Sequence, residues 1–127
     1  MSRSVILDSS IWIEIFRDGP LATASKKILS TNEVAGIPTV VIFEIYRKIA
    51  KEVSEDSALS AVAYLKTFAV LNLDVEVALT AADIALAHKL GMADSIVLAH
   101  AQCLESRLVT LDNDFAGIPG VEVIRKR

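Results

Sequence analysis

A single cysteine, Cys103, rules out an internal disulfide, so the expected setting is a reducing compartment, the cytoplasm. Flanked by Leu98, Ala99, Ala101 and Leu104, its thiol reads as a small buried hydrophobe. Histidine is scarce too: His88 and His100 are the only two, and neither has a ligand partner at helical spacing. Imidazole and thiolate metal sites are thereby excluded. No apolar run approaches the roughly 18 residues of a membrane span, although 53% of the chain is hydrophobic and its mean hydropathy is +0.48. The opening MSRSVILDSS holds too short an apolar run for an export signal and no small-residue cleavage site. A basic excess is also missing. The net charge is −3, yet the rest of the chain carries +2 once five candidate pocket carboxylates are set aside. An RNA partner therefore stays compatible with the composition.

The 127 residues suit one domain spanning residues 1–127, with no repeat, linker or low-complexity tract. Short β-favouring runs alternate with helical ones. Strands are expected at Ser4–Leu7, Val34–Ile37, Ala69–Leu73, Arg107–Leu111 and Val121–Ile124. Between them, Asp8-Ser9-Ser10 supplies cap chemistry for a helix to Arg17, and a second helix covers Leu21–Thr31. Pro38 and Thr39 open a third to Val53, Ser54 caps a fourth to Phe68, and Asp74 caps Val75–Leu90. Gly91 is expected to close that helix in a left-handed C′ position. Asp94–Glu105 is apolar nearly all round and reads as a buried helix. This alternation predicts a three-layer α/β fold with a parallel sheet and right-handed crossovers.

In such a sheet, strand C-termini and helix N-termini share one edge. Asp8 and Asp112 fall at strand ends, Asp94 at a helix start, and Glu44 just over one turn into the helix opened by Thr39. Asp114 follows two positions after Asp112. Two carboxylates about 5 Å apart repel by roughly 3 kcal/mol at an effective dielectric near 20. No basic residue adjoins Asp8, Glu44, Asp94 or Asp112 in sequence, so a cation is the favoured compensation. Oxygen-only ligands point to Mg²⁺ or Mn²⁺, and such a site suits phosphodiester hydrolysis. Glu44 lies among Val40, Val41, Ile42, Phe43, Ile45 and Tyr46, where an uncompensated charge is costly. Asp74 has the same chemistry but reads as a plain helix cap.

Four stretches, VILDSSIWIEIF (5–16), IPTVVIFEI (37–45), ADSIVLAHA (93–101) and LVTLDNDFAGIPGVEVI (108–124), resemble the PIN-domain family, specifically the small VapC-type toxin ribonucleases of toxin–antitoxin pairs. The resemblance implies a sheet of order 3-2-1-4-5 and a metal-dependent endoribonuclease, with Asp8, Glu44, Asp94 and Asp112 as the metal-binding and catalytic acids. Asp114 is then a nearby accessory, and Ser10 and Thr110 match polar positions of the pocket. It also implies a homodimer and an antitoxin segment covering or entering the pocket. Many relatives carry a glycine a few residues after the helix acid, where this chain has Tyr46-Arg47-Lys48.

Apolar residues on the third helix, with Leu59, Val62, Ala63, Leu65 and Phe68 on the fourth, exceed what one core needs. These helices are expected to build a homodimer face or an antitoxin groove, while Trp12 is expected in the core. Arg47, Lys48 and Lys51 are candidate RNA contacts, as are Lys26, Lys27 and the tail Arg125-Lys126-Arg127. Two other functions fit the residues less well. One is a PIN nuclease of RNA processing or decay without an antitoxin; the other is a receiver-like signalling domain with Asp74 as phosphoacceptor and Thr110 as switch hydroxyl. The latter leaves Glu44 and Asp94 unexplained and has Arg125 where a lysine belongs.

Overall fold

A computed structural model describes residues 4–125; Lys126 and Arg127 of the basic tail lie outside the described residues. The chain runs β1 (Ser4–Leu7), α1 (Ser9–Phe16), α2 (Ala22–Thr31), β2 (Glu33–Val34), β3 (Ile37–Pro38), α3 (Thr39–Glu52) and α4 (Glu55–Leu65). It continues through β4 (Val70–Leu71), α5 (Val75–His88), α6 (Met92–Cys103) and β5 (Arg107–Thr110) to a 3-10 turn (Asn113–Phe115) and β6 (Val121–Val123).

All strand pairs are parallel. β2, β1, β5 and β6 form one ladder, and β3 pairs with β4. The expected second strand is thus split at Gly36. On one side, the Ala35 N–H donates to the Val5 carbonyl at 2.9 Å; on the other, the Ile37 N–H donates to the Ala69 carbonyl at 2.7 Å. One extended segment bridges both neighbours, giving the expected order 3-2-1-4-5 with an interrupted member. Gly36 makes the break possible, because a Cβ there would lie 2.7 Å from Leu71 Cγ and 2.9 Å from the Ala69 carbonyl oxygen.

The helix starts follow their caps. Asp8 accepts from the Ser9 N–H, Ser54 from Ser57 and Asp74 from Val77, each satisfying an amide that the first turn leaves open. Asp74 is therefore a cap, as read from the sequence. Gly91 corrects its reading: Lys89, at φ 58, takes the left-handed position that ends α5, while Gly91 is extended and caps α6 instead. With only Leu90 between them, one chain reversal serves both helices.

The core is continuous. Val5, Ile6 and Leu7 of β1, Leu108 and Val109 of β5, and Val97, Leu98, Ala99 and Ala101 of α6 are buried together with Ile11, Trp12, Val41, Ile45 and Leu65. Each fully buried aliphatic side chain contributes about 1.5–3 kcal/mol. Trp12 is fully buried and packs on Phe16, Tyr64 and Phe68 with ring centroids 5.6–6.2 Å apart, tying α1 to the α4 end. The run Ser95–Ala101 is buried without a break, as its sequence required. Cys103 is a further correction. It is exposed, because α6 emerges from the core in its last turn, where Gln102 and Leu104 are exposed as well.

Candidate active site

Asp8 is the best-fixed acid. Where β1 ends, its N–H donates to the Val109 carbonyl of β5 at 3.0 Å, so the two strand ends are locked side by side. Its carboxylate is 4% exposed. Oδ1 accepts from the Ser9 N–H at 2.7 Å, while Oδ2 accepts from the Thr110 hydroxyl at 2.7 Å and the Ser10 hydroxyl at 3.1 Å.

Both hydroxyls work in two directions. Thr110 Oγ1 also accepts from the Asp112 N–H at 3.0 Å, and Ser10 Oγ accepts from the Leu111 N–H at 3.0 Å. Asp112 in turn accepts from the Asp114 N–H at 2.9 Å. One chain of bonds therefore runs from Asp8 through Thr110 to the backbone of Asp112 and on to Asp114. Burial raises the Asp8 carboxyl above its ordinary range and the Asp112 charge adds to this, while the Thr110, Ser9 and Ser10 hydrogen bonds pull it back.

The acids expected from the sequence meet. Asp94, in the first turn of α6, has its carboxyl raised to about 6, by burial first and then by Asp8, Asp112, Glu44 and Asp114. One carboxyl thus feels all four others. Asp94, Asp112 and Asp114 each bring a carboxylate oxygen within 4.8 Å of the other two. Asp114, read as accessory, belongs to this tight group, whereas Asp8 and Glu44 stand around it. The 3-10 turn explains the difference: it folds Asp114 back over Asp112, a step that spacing alone does not reveal. Glu44, half-buried on α3, is also raised, by burial and then by Asp8, with Ser9 and Arg47 opposing.

A small pocket of about 220 Å³ opens from Glu44 and is bounded by Ser9, Ile13, Arg47, Lys48, Lys51 and Glu52. Arg47, Lys48 and Lys51, expected as RNA contacts, therefore line the pocket at Glu44. Lys48 is tied to Glu52 at 2.8 Å, while Arg47 lies 5.9 Å from the centroid of the Phe43 ring. Lys26 is instead paired with Asp18 at 3.5 Å on exposed surface. His100 is buried in α6 with no hydrogen-bond partner on Nε2, and burial lowers its pKa; it is no part of the acid group.

Two residues went unread in the sequence. Ser9 was seen only as cap chemistry, although its amide holds Asp8. Phe43 was counted with the apolar run, although it is 63% exposed. The helical period carried that signal: Val41 and Ile45 take the core, and Phe43 falls between them on the other side.

An all-oxygen group of this density fits a hard divalent cation. The PIN-domain family profile matches residues 5–121, and the chain belongs to the PIN-domain family. Among solved structures it resembles a toxin–antitoxin complex from Klebsiella pneumoniae, at 28% identity and TM-score 0.80, covering 94% of this chain and 96% of that one. It has the same fold as Mycobacterium tuberculosis VapC20, described as a sarcin-ricin loop cleaving toxin (17% identity, TM-score 0.76, covering 94% and 98%). VapBC2 from Rickettsia felis, bound to a DNA fragment from its promoter, matches at 16% identity and TM-score 0.75, covering 96% and 99%. No curated protein matches the chain in sequence.

Proposed function

We propose that this PIN domain is a divalent-metal-dependent endoribonuclease, the toxin of a VapBC-type toxin–antitoxin pair acting on cytoplasmic RNA. The observation that carries this reading is the approach of the Asp94, Asp112 and Asp114 carboxylate oxygens to within 4.8 Å of one another, with Asp8 and Glu44 near enough for their charges to act on Asp94. Asp94, Asp112 and Asp114 would hold the cation, with Asp8 and Glu44 completing the acidic wall as further ligands or water-orienting groups. Mg²⁺ or Mn²⁺ bound there supplies Lewis acidity and lowers the pKa of water.

The chain's own part is placement. Thr110 and Ser10 keep Asp8 oriented, and through the Asp112 amide Thr110 also sets the second strand end. Glu44, raised by burial, is suited to take a proton from the water whose oxygen attacks phosphorus, as the bond to the leaving oxygen breaks. Arg47 and Lys51 offer positive charge to the flanking phosphates.

The antitoxin reading is supported by a groove of about 670 Å³ between α1, α3 and α4, floored by Ile13, Phe16, Ile49, Val53 and Ala61. It shares Ile13, Lys48 and Glu52 with the pocket at Glu44, so a segment seated there leads into the acidic site. Part of the apolar excess expected to face a partner is spent inside: Leu65 is buried and Val62 and Phe68 are half-buried, while Leu59 and Ala63 stay exposed. For a homodimer, α5 offers a second apolar face through Val75, Leu79 and Leu86, the last 82% exposed. No helix among the described residues is long and apolar enough to cross a membrane.

The test is cleavage of a pool of single-stranded RNA by the purified protein, with sequencing of the new 5′ ends. Cleavage at defined positions that chelator abolishes is expected. Intact RNA across a range of Mg²⁺ and Mn²⁺ concentrations would overturn the reading.

A further inference from the structure

Phe43 is the only phenylalanine on α3, and it is left in solvent one residue before Glu44. Its ring lies beneath the Arg47 guanidinium, 5.9 Å from the centroid, an arrangement that sets a cation over one face of the ring. Beside it, a shallow groove of about 880 Å³ runs between α3 and α4 over Ile42, Tyr46, Leu59 and Val62. Arg47 and Lys51 border both this groove and the pocket at Glu44. They form a basic ridge between an acidic site and an apolar floor.

That sequence of surfaces matches one ligand chemistry. A nucleotide chain carries a phosphate, which the ridge can neutralise, and a flat base with an apolar face, which the floor can cover. Only an unpaired base exposes both faces, because a duplex keeps its bases stacked within the helix. We propose that the α3–α4 groove receives an unpaired nucleobase next to the scissile phosphate, stacked on Phe43, with Arg47 and Lys51 on the flanking phosphates. The groove then selects single-stranded RNA or loops. This inference rests on the endoribonuclease reading and adds where the strand leaves the site.

The test is steady-state cleavage of a single-stranded RNA by the wild-type protein, Phe43→Ala and Phe43→Tyr, with oligomeric state followed by sedimentation. Loss of one base–aromatic stack is expected to raise KM by about 10–100-fold in Phe43→Ala, more than it changes kcat. Phe43→Tyr restores KM, and duplex RNA of the same sequence competes poorly. Because the side chain is exposed, the alanine variant keeps its fold, which circular dichroism verifies. A KM within twofold of wild type overturns the proposal while leaving the nuclease reading intact. Conversion of a dimer to monomers by Phe43→Ala also overturns it, assigning the groove to a second copy. If the wild-type protein cuts no RNA, the nuclease reading falls and takes this inference with it.

Discussion

Replacing Asp94 by asparagine is expected to stabilise the metal-free protein at neutral pH. Its carboxyl is raised from 3.8 to about 6, so the folded state holds a proton that the unfolded state has released. Stability therefore falls as pH rises through this window: the penalty is absent below about 3.8 and complete above about 6. Taken at face value the displacement corresponds to about 3 kcal/mol. Asp94 is half-exposed, and solvent screening reduces this to about 1–2 kcal/mol.

Urea unfolding of wild type and Asp94→Asn in chelator, at intervals from pH 4 to 8, isolates the effect. His100 pulls oppositely: its lowered pKa gives stability that is present above its ordinary value near 6.5 and is lost as pH falls. It is common to both proteins and cancels in their difference. The variant is expected to match wild type near pH 4 and exceed it by about 1–2 kcal/mol at pH 7. Adding Mg²⁺ should then stabilise wild type more than the variant. A variant equal to or weaker than wild type at pH 7, with a difference that does not change with pH, would refute the argument.

Thr110→Val removes the hydroxyl shared by Asp8 and the Asp112 amide; cleavage should fall, and urea unfolding should show a loss of about 1–3 kcal/mol. Gly36→Ala sets a Cβ against Leu71 and the Ala69 carbonyl, and should cost about 1–3 kcal/mol in thermal or urea unfolding. Cys103→Ser should change stability by less than about 0.5 kcal/mol, and the native thiol should react fully with a thiol reagent without unfolding, since it is exposed.

The parallel alternation and the gathering of the acids at one sheet edge were legible because both follow from where apolar runs stop, whereas the strand order came only with the family resemblance. Asp8 directly follows β1 and Asp112 lies two residues past the end of its parallel neighbour β5, so pairing Leu7 with Val109 brings both acids to the same edge. Caps such as Asp74 and Ser54 were readable for the same local reason. What escaped depends on contacts between segments distant in sequence. The split at Gly36 requires knowing that Leu71 packs against it. The left-handed residue falls at Lys89 rather than at a glycine because the reversal is shared with the start of α6. Asp114 joins Asp94 only through the 3-10 turn, and Cys103 reaches solvent because α6 outruns the sheet it covers.

The central claim is that the gathered carboxylates hold the cation on which RNA cleavage depends. Its most direct test is a Mn²⁺ binding isotherm, followed by the EPR signal of the free ion, alongside single-turnover RNA cleavage over the same Mn²⁺ concentrations. The two curves are expected to share a midpoint in the wild-type protein, and Asp112→Asn is expected to lose both. Cleavage at full rate in chelator, or Mn²⁺ binding unchanged by Asp112→Asn, would contradict the account.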